Sequence, residues 1–342
     1  MADFGWLARP PYRVFSFIGL TAALVMAGYW AWTPGMEVTD GRHDLRANGI
    51  WIGHGWLGAD EWFQRNKKDP AKFRSEAAIR ALEARLTGHG IKSVFPHLSP
   101  CAFNGRIPPV DGAQVELFIK NMPGKIIIPW TGGVLGEHAF PGQAKWREGF
   151  IASLAELLRD HPGLGGIHIN IEPMPSGNRD FITFLREVKA SLPEGKILSV
   201  AAYPPPTMWH PVKDVHWDES YYREVAANAD QMAVMMYDTA LRFGKIYRSL
   251  MADWTRQTLA WSGGKQTLLG VPAYDDAGAG YHHPEVENLE NALAGIHAGL
   301  GGSGAPPAAY GGVAIYSEWE MDEAEWGLLK RSFNRAEPLG KP

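Results

Sequence analysis

The feature that most limits what this chain can fold into is a repeated alternation. From about residue 49 onward, short runs rich in apolar and β-branched residues alternate with stretches of helical periodicity. Strands are expected at 49–56, 91–98, 125–130, 166–172, 197–203, 230–238, 266–274 and 312–317. Helices are expected at 75–89, 143–160, 179–192, 219–228, 245–261, 285–298 and 323–333. Several strand cores are almost unbroken apolar runs, such as Met232-Ala-Val-Met-Met-Tyr237. Parallel strands buried on both faces read this way. Eight such units imply an α/β fold of one (β/α)8 barrel of the TIM type. The rival is an open doubly wound sheet. It is disfavoured because no glycine-rich dinucleotide fingerprint follows the first strand.

Composition narrows the function classes. Lys and Arg total 33 against 37 Asp and Glu, a net charge of −4 with no basic cluster, so no nucleic-acid partner is expected. The single Cys101 excludes an intrachain disulfide and a multi-cysteine metal site. The histidines follow neither of the common barrel-metal or zincin spacings, and His282-His283 reads as a surface or substrate-contacting pair. No metal or cofactor is expected. Fourteen Trp, with 11 Tyr and 14 Phe, suggest large flat contact faces with polar handles.

Residues 14–32 carry no charged side chain; Arg9 and Arg13 precede them, and Tyr29, Trp30 and Trp32 close the run. The expected organisation is a cytoplasmic segment 1–13, a transmembrane signal anchor 14–32, a linker 33–48, the barrel 49–336 and a tail 337–342. A single pass through the inner membrane would put the barrel on the periplasmic or extracellular side. A cleaved signal peptide is the alternative.

A barrel of this type carries its active site at the C-terminal ends of its strands. Those ends offer His54 and Trp56, His97, Trp130, Glu172, Tyr203, Tyr237 and Asp238, Tyr274 with Asp275 and Asp276, then Tyr316, Glu318 and Trp319. Aromatic faces and a few carboxylates in one cup suit a polysaccharide or glycan: pyranose C–H faces stack on the rings while carboxylates take hydroxyls. Trp209 and Trp217 lie in the loop after the fifth strand. The fourth strand, Gly165-Gly-Ile-His-Ile-Asn-Ile-Glu-Pro173, is the most informative segment. Alternation turns Ile167, Ile169 and Ile171 toward the helices and His168, Asn170 and Glu172 into the barrel. Polar groups there are costly unless paired or used. His168, the deepest, reads as a supporting partner.

These segments resemble glycoside hydrolase family 18, whose fourth strand carries Asp-x-x-Asp-x-Asp-x-Glu. Met235-Met-Tyr237-Asp238 is similar to that family's sixth-strand Met-x-Tyr-Asp. Gly311-Gly-Val-Ala-Ile-Tyr316-Ser317 is similar to its eighth-strand Gly-Gly-x-x-x-Trp-Ser. Three family aspartates are replaced by Gly165, His168 and Asn170, and the eighth-strand Trp by Tyr316. Asn170-Ile171-Glu172 is similar to the Asn-x-Glu of family 85 endo-β-N-acetylglucosaminidases. The resemblance implies retaining, substrate-assisted cleavage of an N-acetylhexosamine-containing glycan. It makes Glu172 the general acid/base, Asn170 the group that orients the acetamido, and Tyr237 a hydrogen-bond donor to it. Asp238, Trp130, Tyr203, Tyr316, Glu318, Trp319, Trp56, His97 and Tyr274 are then candidate substrate contacts. Two alternatives stay open: a non-catalytic carbohydrate-binding barrel of an envelope polysaccharide system, and a two-carboxylate retaining glycosidase using Asp275, Asp276 or Glu318.

Overall fold

The computed structural model describes residues 11–335 except 213, 214, 277, 279, 303 and 304, with side chains from Phe17 onward. The segments expected as 1–13 and 337–342 fall wholly or mostly outside these residues. The chain divides into two units, Met1–Pro34 and Gly35–Pro342.

In the first unit, α1 covers Pro11–Ala31 and exposes Phe17, Ile18, Leu20, Leu24, Val25 and Met26. Among the described residues no helix is long and apolar enough to cross a membrane. The transmembrane anchor expected over 14–32 is therefore not supported.

In the second unit the strands are β1 (Asn48–Ile52), β2 (Ile91–Pro96), β3 (Ile126–Ile127), β4 (Trp130–Val134), β5 (Gly166–Glu172), β6 (Ile197–Ala202), β7 (Gln231–Val234), β8 (Gln266–Pro272) and β9 (Tyr310–Tyr316). They form one parallel sheet in the order β3-β2-β1-β9-β8-β7-β6-β5-β4. The two ends of that order are consecutive pieces of chain. Ile128 N–H donates to Val94 O at 2.8 Å on one side, and Gly165 N–H donates to Ile127 O at 2.7 Å on the other. The sheet thus curls into an α/β barrel-like fold of the TIM type. The expected third strand is split because Pro129 has no N–H to give the ladder. Among the described residues the split makes nine strand segments from eight strand positions.

Helices alternate with the strands on the outside: α2 (Asp60–Asn66), α3 (Ala71–Arg74), α4 (Glu76–Gly88), α5 (Gly112–Lys120), α6 (Ala144–Asp160), α7 (Arg179–Ser191), α8 (Glu219–Ala227), α9 (Gly244–Trp261), α10 (Leu289–Leu300) and α11 (Glu323–Ser332). Side-chain caps start many of them. Ser75, Asp111, Asn178, Asp218, Asn288 and Asp322 each accept a backbone N–H at the helix N-terminus. Such caps contribute ~1 kcal/mol apiece. Helices α2, α3 and α5 were not expected from the sequence; all three are short, and α2 and α3 have little buried apolar surface.

Alternation along the strands separates two apolar layers. Ile50, Ile52, Val94, Leu269, Val271, Val313 and Ile315 pack outward against the helices. Trp51, Phe95, Ile128, Trp130, Ala233, Leu268 and Ala314 pack inside the barrel. Residues 36–48, expected as a linker, pack against the barrel instead. Met36 N–H donates to Ala294 O at 2.9 Å, and buried Asp44 Oδ1 accepts from Asn48 at 2.9 Å.

Candidate active site

β5 follows the expected alternation. Ile167, Ile169 and Ile171 are buried in the outer layer, and His168, Asn170 and Glu172 face inward. His168 is fully buried. It accepts from Trp51 Nε1 at 3.3 Å and lies 2.8 Å from Ser199 Oγ. Indole N–H only donates, so His168 Nε2 is the acceptor and Nδ1 carries the proton. Ser199 passes the chain to Gln231 Oε1 at 2.8 Å, and Gln231 reaches Gln266 at 3.1 Å. Burial pushes His168 down to about 3, so it is a neutral structural link beneath the site.

Above it, Asn170 and Glu172 line a cavity of about 360 Å³ with Trp51, His97, Trp130, Met235, Tyr237, Asp238 and Tyr316. That volume is typical of a small-molecule site, roughly 300–1,000 Å³. Burial raises the Glu172 carboxyl above its ordinary range, while the Asn170 amide and the Tyr203 hydroxyl favour the ionised form and oppose the rise. Tyr203 Oη donates to Glu172 Oε2 at 3.3 Å. Asn170 Oδ1 is buried without a hydrogen-bond partner. The backbone of β4 comes close here: a Cβ on Gly132, whose φ is +144°, would stand 2.0 Å from Asn170 O.

The walls are neutral and aromatic. His97 stacks on Trp130 with ring centres 4.1 Å apart, and burial lowers His97 and the adjoining His54 to about 4 each. Tyr237 stacks on Tyr316 at 5.5 Å, and Trp319 meets the Tyr316 edge at 5.5 Å. A second cavity of about 470 Å³ shares Glu172, Met235, Tyr237 and Asp238 and adds Tyr203, Val212, His216 and Trp254. A third, of about 430 Å³, joins Asp238, Tyr274, Tyr316 and exposed Trp319 to Asp275 and Asp276. Asp238 borders all three. It accepts a hydrogen bond from the Tyr274 hydroxyl and takes a left-handed φ of 60°. These cavities bring together ten of the twelve sequence-derived site residues: Glu172, Asn170, Tyr237, Asp238, Trp130, Tyr203, Tyr316, Trp319, His97 and Tyr274.

Trp56 and Glu318 are the exceptions. Trp56 is 5% exposed and packs on Phe73 and Phe118 behind β1. The turn at His54–Trp56 carries it past the strand end, off the inward register. Glu318 lines none of the three cavities; burial raises its carboxyl, while hydrogen bonds from Trp56 and the Gly53 backbone oppose the rise. Asp275 and Asp276 line a cavity that does not include Glu172. Trp217 is core: its indole donates to Met174 O at 2.8 Å. His282 is fully buried rather than superficial. Among the described residues no group of three His, Cys, Asp or Glu could hold a metal ion.

Sequence reasoning missed Trp51 and Met235. Trp51 was readable, since alternation between Ile50 and Ile52 turns it inward as it turns His168 inward. Met235 follows the last residue of β7, where the strand register no longer fixes its direction.

Comparison with known proteins identifies the family and supports the fold. The glycosyl hydrolases family 18 model matches residues 119–303, more than half of the chain. No curated protein matches by sequence. Among solved structures, the Bacillus cereus spore cortex-lytic enzyme SleL aligns with TM-score 0.58 and 11% identity over 84% of this chain and 74% of that one. The C-terminal domain of a putative chitinase from Desulfitobacterium hafniense aligns with TM-score 0.55 and 14% identity, covering 84% and 99%. A chitinase from Chromobacterium violaceum aligns with TM-score 0.51 and 16% identity, covering 83% and 98%. At these identities the alignments speak for the fold, and the family match carries the activity class: the chain is a glycoside hydrolase and belongs to glycosyl hydrolases family 18.

Proposed function

We propose that the protein cleaves a glycan containing β-linked N-acetylhexosamine by a retaining, substrate-assisted route. The observation that carries this reading is the Asn170–Glu172 pair at the end of β5. Glu172 is a carboxyl raised by burial, and Asn170, whose buried Oδ1 has no hydrogen-bond partner, lines the same cavity. An acetamido N–H is a donor that fits that acceptor.

The steps follow from the groups present. Glu172 gives its proton to the glycosidic oxygen as the bond to the anomeric carbon breaks. The acetamido carbonyl oxygen attacks the anomeric carbon and closes an oxazolinium ring. Asn170 Oδ1 accepts the amide N–H and fixes its direction. Tyr237, in the cavity wall, donates to the acetamido oxygen. Glu172, now ionised, takes a proton from water, which opens the ring from the face the leaving group left. Orientation of this kind replaces the second carboxylate of a conventional retaining enzyme, which must stand about 5–5.5 Å from the first. Tyr316, Trp319 and Trp130 supply sugar-stacking faces, and Asp238 takes hydroxyls.

A thiazoline mimic of the oxazoline tests the route. It should inhibit hydrolysis competitively, and an active enzyme that ignores it would remove substrate assistance. We also propose that the barrel works outside the cytoplasm, supported by the uncharged run that follows Arg9 and Arg13. A reporter fused near residue 40 should be active only on the exported side, and activity in the cytoplasm would contradict it.

A further inference from the structure

Behind Asp238 lies a buried charged cluster that the proposed chemistry does not use. His282 and Glu287 are both fully buried. His282 Nε2 lies 3.1 Å from Tyr274 O, a carbonyl that can only accept, so Nε2 carries a hydrogen. The other ring nitrogen, Nδ1, stands 3.4 Å from Asp238 Oδ1 and 4.0 Å from Glu287 Oε2. A bare Nδ1 lone pair facing two carboxylates is unfavourable, whereas a protonated one is attracted to both. Tyr274 stacks on the imidazole at 4.1 Å and donates its hydroxyl to Asp238.

The backbone is tied to the same pair. Glu287 Oε2 accepts the Thr239 N–H at 2.8 Å, and Ala240 N–H donates to Tyr281 O at 2.8 Å. Asp238 and Ala240 both hold left-handed φ values, 60° and 54°. A non-glycine residue pays for that conformation, and surrounding contacts must hold it. The segment 281–287 provides those contacts.

We infer that His282 and Glu287 are positioning residues for Asp238: Glu287 pins the left-handed turn through Thr239, and an imidazolium at His282 holds the Asp238 carboxylate toward the cleft. The groups facing His282 are Asp238 from the turn after β7, Tyr274 from the end of β8 and Glu287 from its own segment. Tyr247 of α9 lies near Glu287 and Asp238, with its hydroxyl committed to Met236 O at 3.0 Å. Burial and the Asp238 carboxylate raise Glu287 to about 7 against the pull of Thr239 and His282, and Asp238 and Glu287 raise His282 against burial. The consequence for catalysis rests on the hydrolase reading above, but the arrangement can be tested without it.

The test is a titration of the full chain carrying ¹³C-labelled imidazoles, from about pH 4 to about pH 9, with His282 identified through H282Q. His282 should still be cationic at neutral pH, and E287Q should lower its midpoint by about one pH unit or more. Amide exchange at Thr239 should be fast in E287A and slow again in E287Q, which keeps an acceptor. A neutral His282 at pH ~7, an unmoved midpoint in E287Q, or equal Thr239 exchange in both variants would overturn the inference. D238N removes the other carboxylate and makes the same test if E287Q does not fold. Loss of kcat in E287A with recovery in E287Q would extend the result to hydrolysis. A wild type that cleaves no glycan would sink the proposed function and leave the titration intact.

Discussion

Tyr203 Oη donates a 3.3 Å hydrogen bond to Glu172 Oε2, from the residue just after β6 to the last residue of β5. Burial drives this carboxyl toward its protonated form, and Tyr203 and Asn170 draw it back toward the ionised one. A group that must give up a proton and then accept one needs both influences. Y203F removes one brake on the upward shift. The alkaline limb of the pH–rate profile, where the acid is lost, should move up by as much as about one pH unit. An unmoved or lowered limb would show that Tyr203 does not act on Glu172.

Asn170 should separate orientation from acid–base chemistry. N170A removes the unpartnered acceptor, so kcat on acetylated substrates should fall by about 10²–10³-fold while folding is retained. N170D restores an acceptor but adds like charge beside Glu172. Its carboxyl should rise further, and activity should return mainly on the acid side. Rate measurements on both variants across pH check this. Equal activity of N170A and wild type would remove Asn170 from the reaction.

Trp319 tests the sugar-stacking assignment. It is 44% exposed and edges onto Tyr316 at the rim of the cleft. Because it touches substrate away from the reacting bond, W319A should raise KM about 3–10-fold on longer oligosaccharides, with kcat little changed. A purely kcat effect would contradict that role.

His168 links folding to acid. In the fold burial holds it at about 3, against an ordinary value of 6.5, so the unfolded chain takes up a proton that the folded chain refuses. Its stabilising effect is therefore full above pH ~6.5 and is lost as the pH falls toward about 3, at ~1.4 kcal/mol per unit. H168L should cost ~2–5 kcal/mol at neutral pH, because Trp51 and Ser199 lose their partner. The same variant should show a shallower loss of stability with acid. Urea melts of both proteins at pH ~7 and pH ~5 measure the two effects. Parallel acid slopes would exclude His168 as the titrating link.

The barrel was legible because a buried parallel strand and an amphipathic helix leave different periodicities, and β5 carried enough alternation to place Asn170 and Glu172. What was not legible depended on contacts between distant segments. Pro129 splits a strand whose apolar run reads as continuous. Trp56 sits only a few residues past β1, yet a single turn takes it from the cleft into the core. The partnership of His282 and Glu287 with Asp238 joins the loop after β8 to the turn after β7, and no local pattern encodes it. Residues 36–48 looked like a linker because their burial comes from Ala294, His297 and Asn334, far along the chain.

The central claim is that Glu172 is the acid/base of a hydrolase acting on acetylated glycans. The most direct measurement is release of reducing ends from defined oligosaccharides, N-acetylated and de-N-acetylated, by the wild type and by E172Q. The account predicts release from the acetylated series by the wild type only, with E172Q slower by about 10³-fold or more. Equal release by E172Q would contradict it.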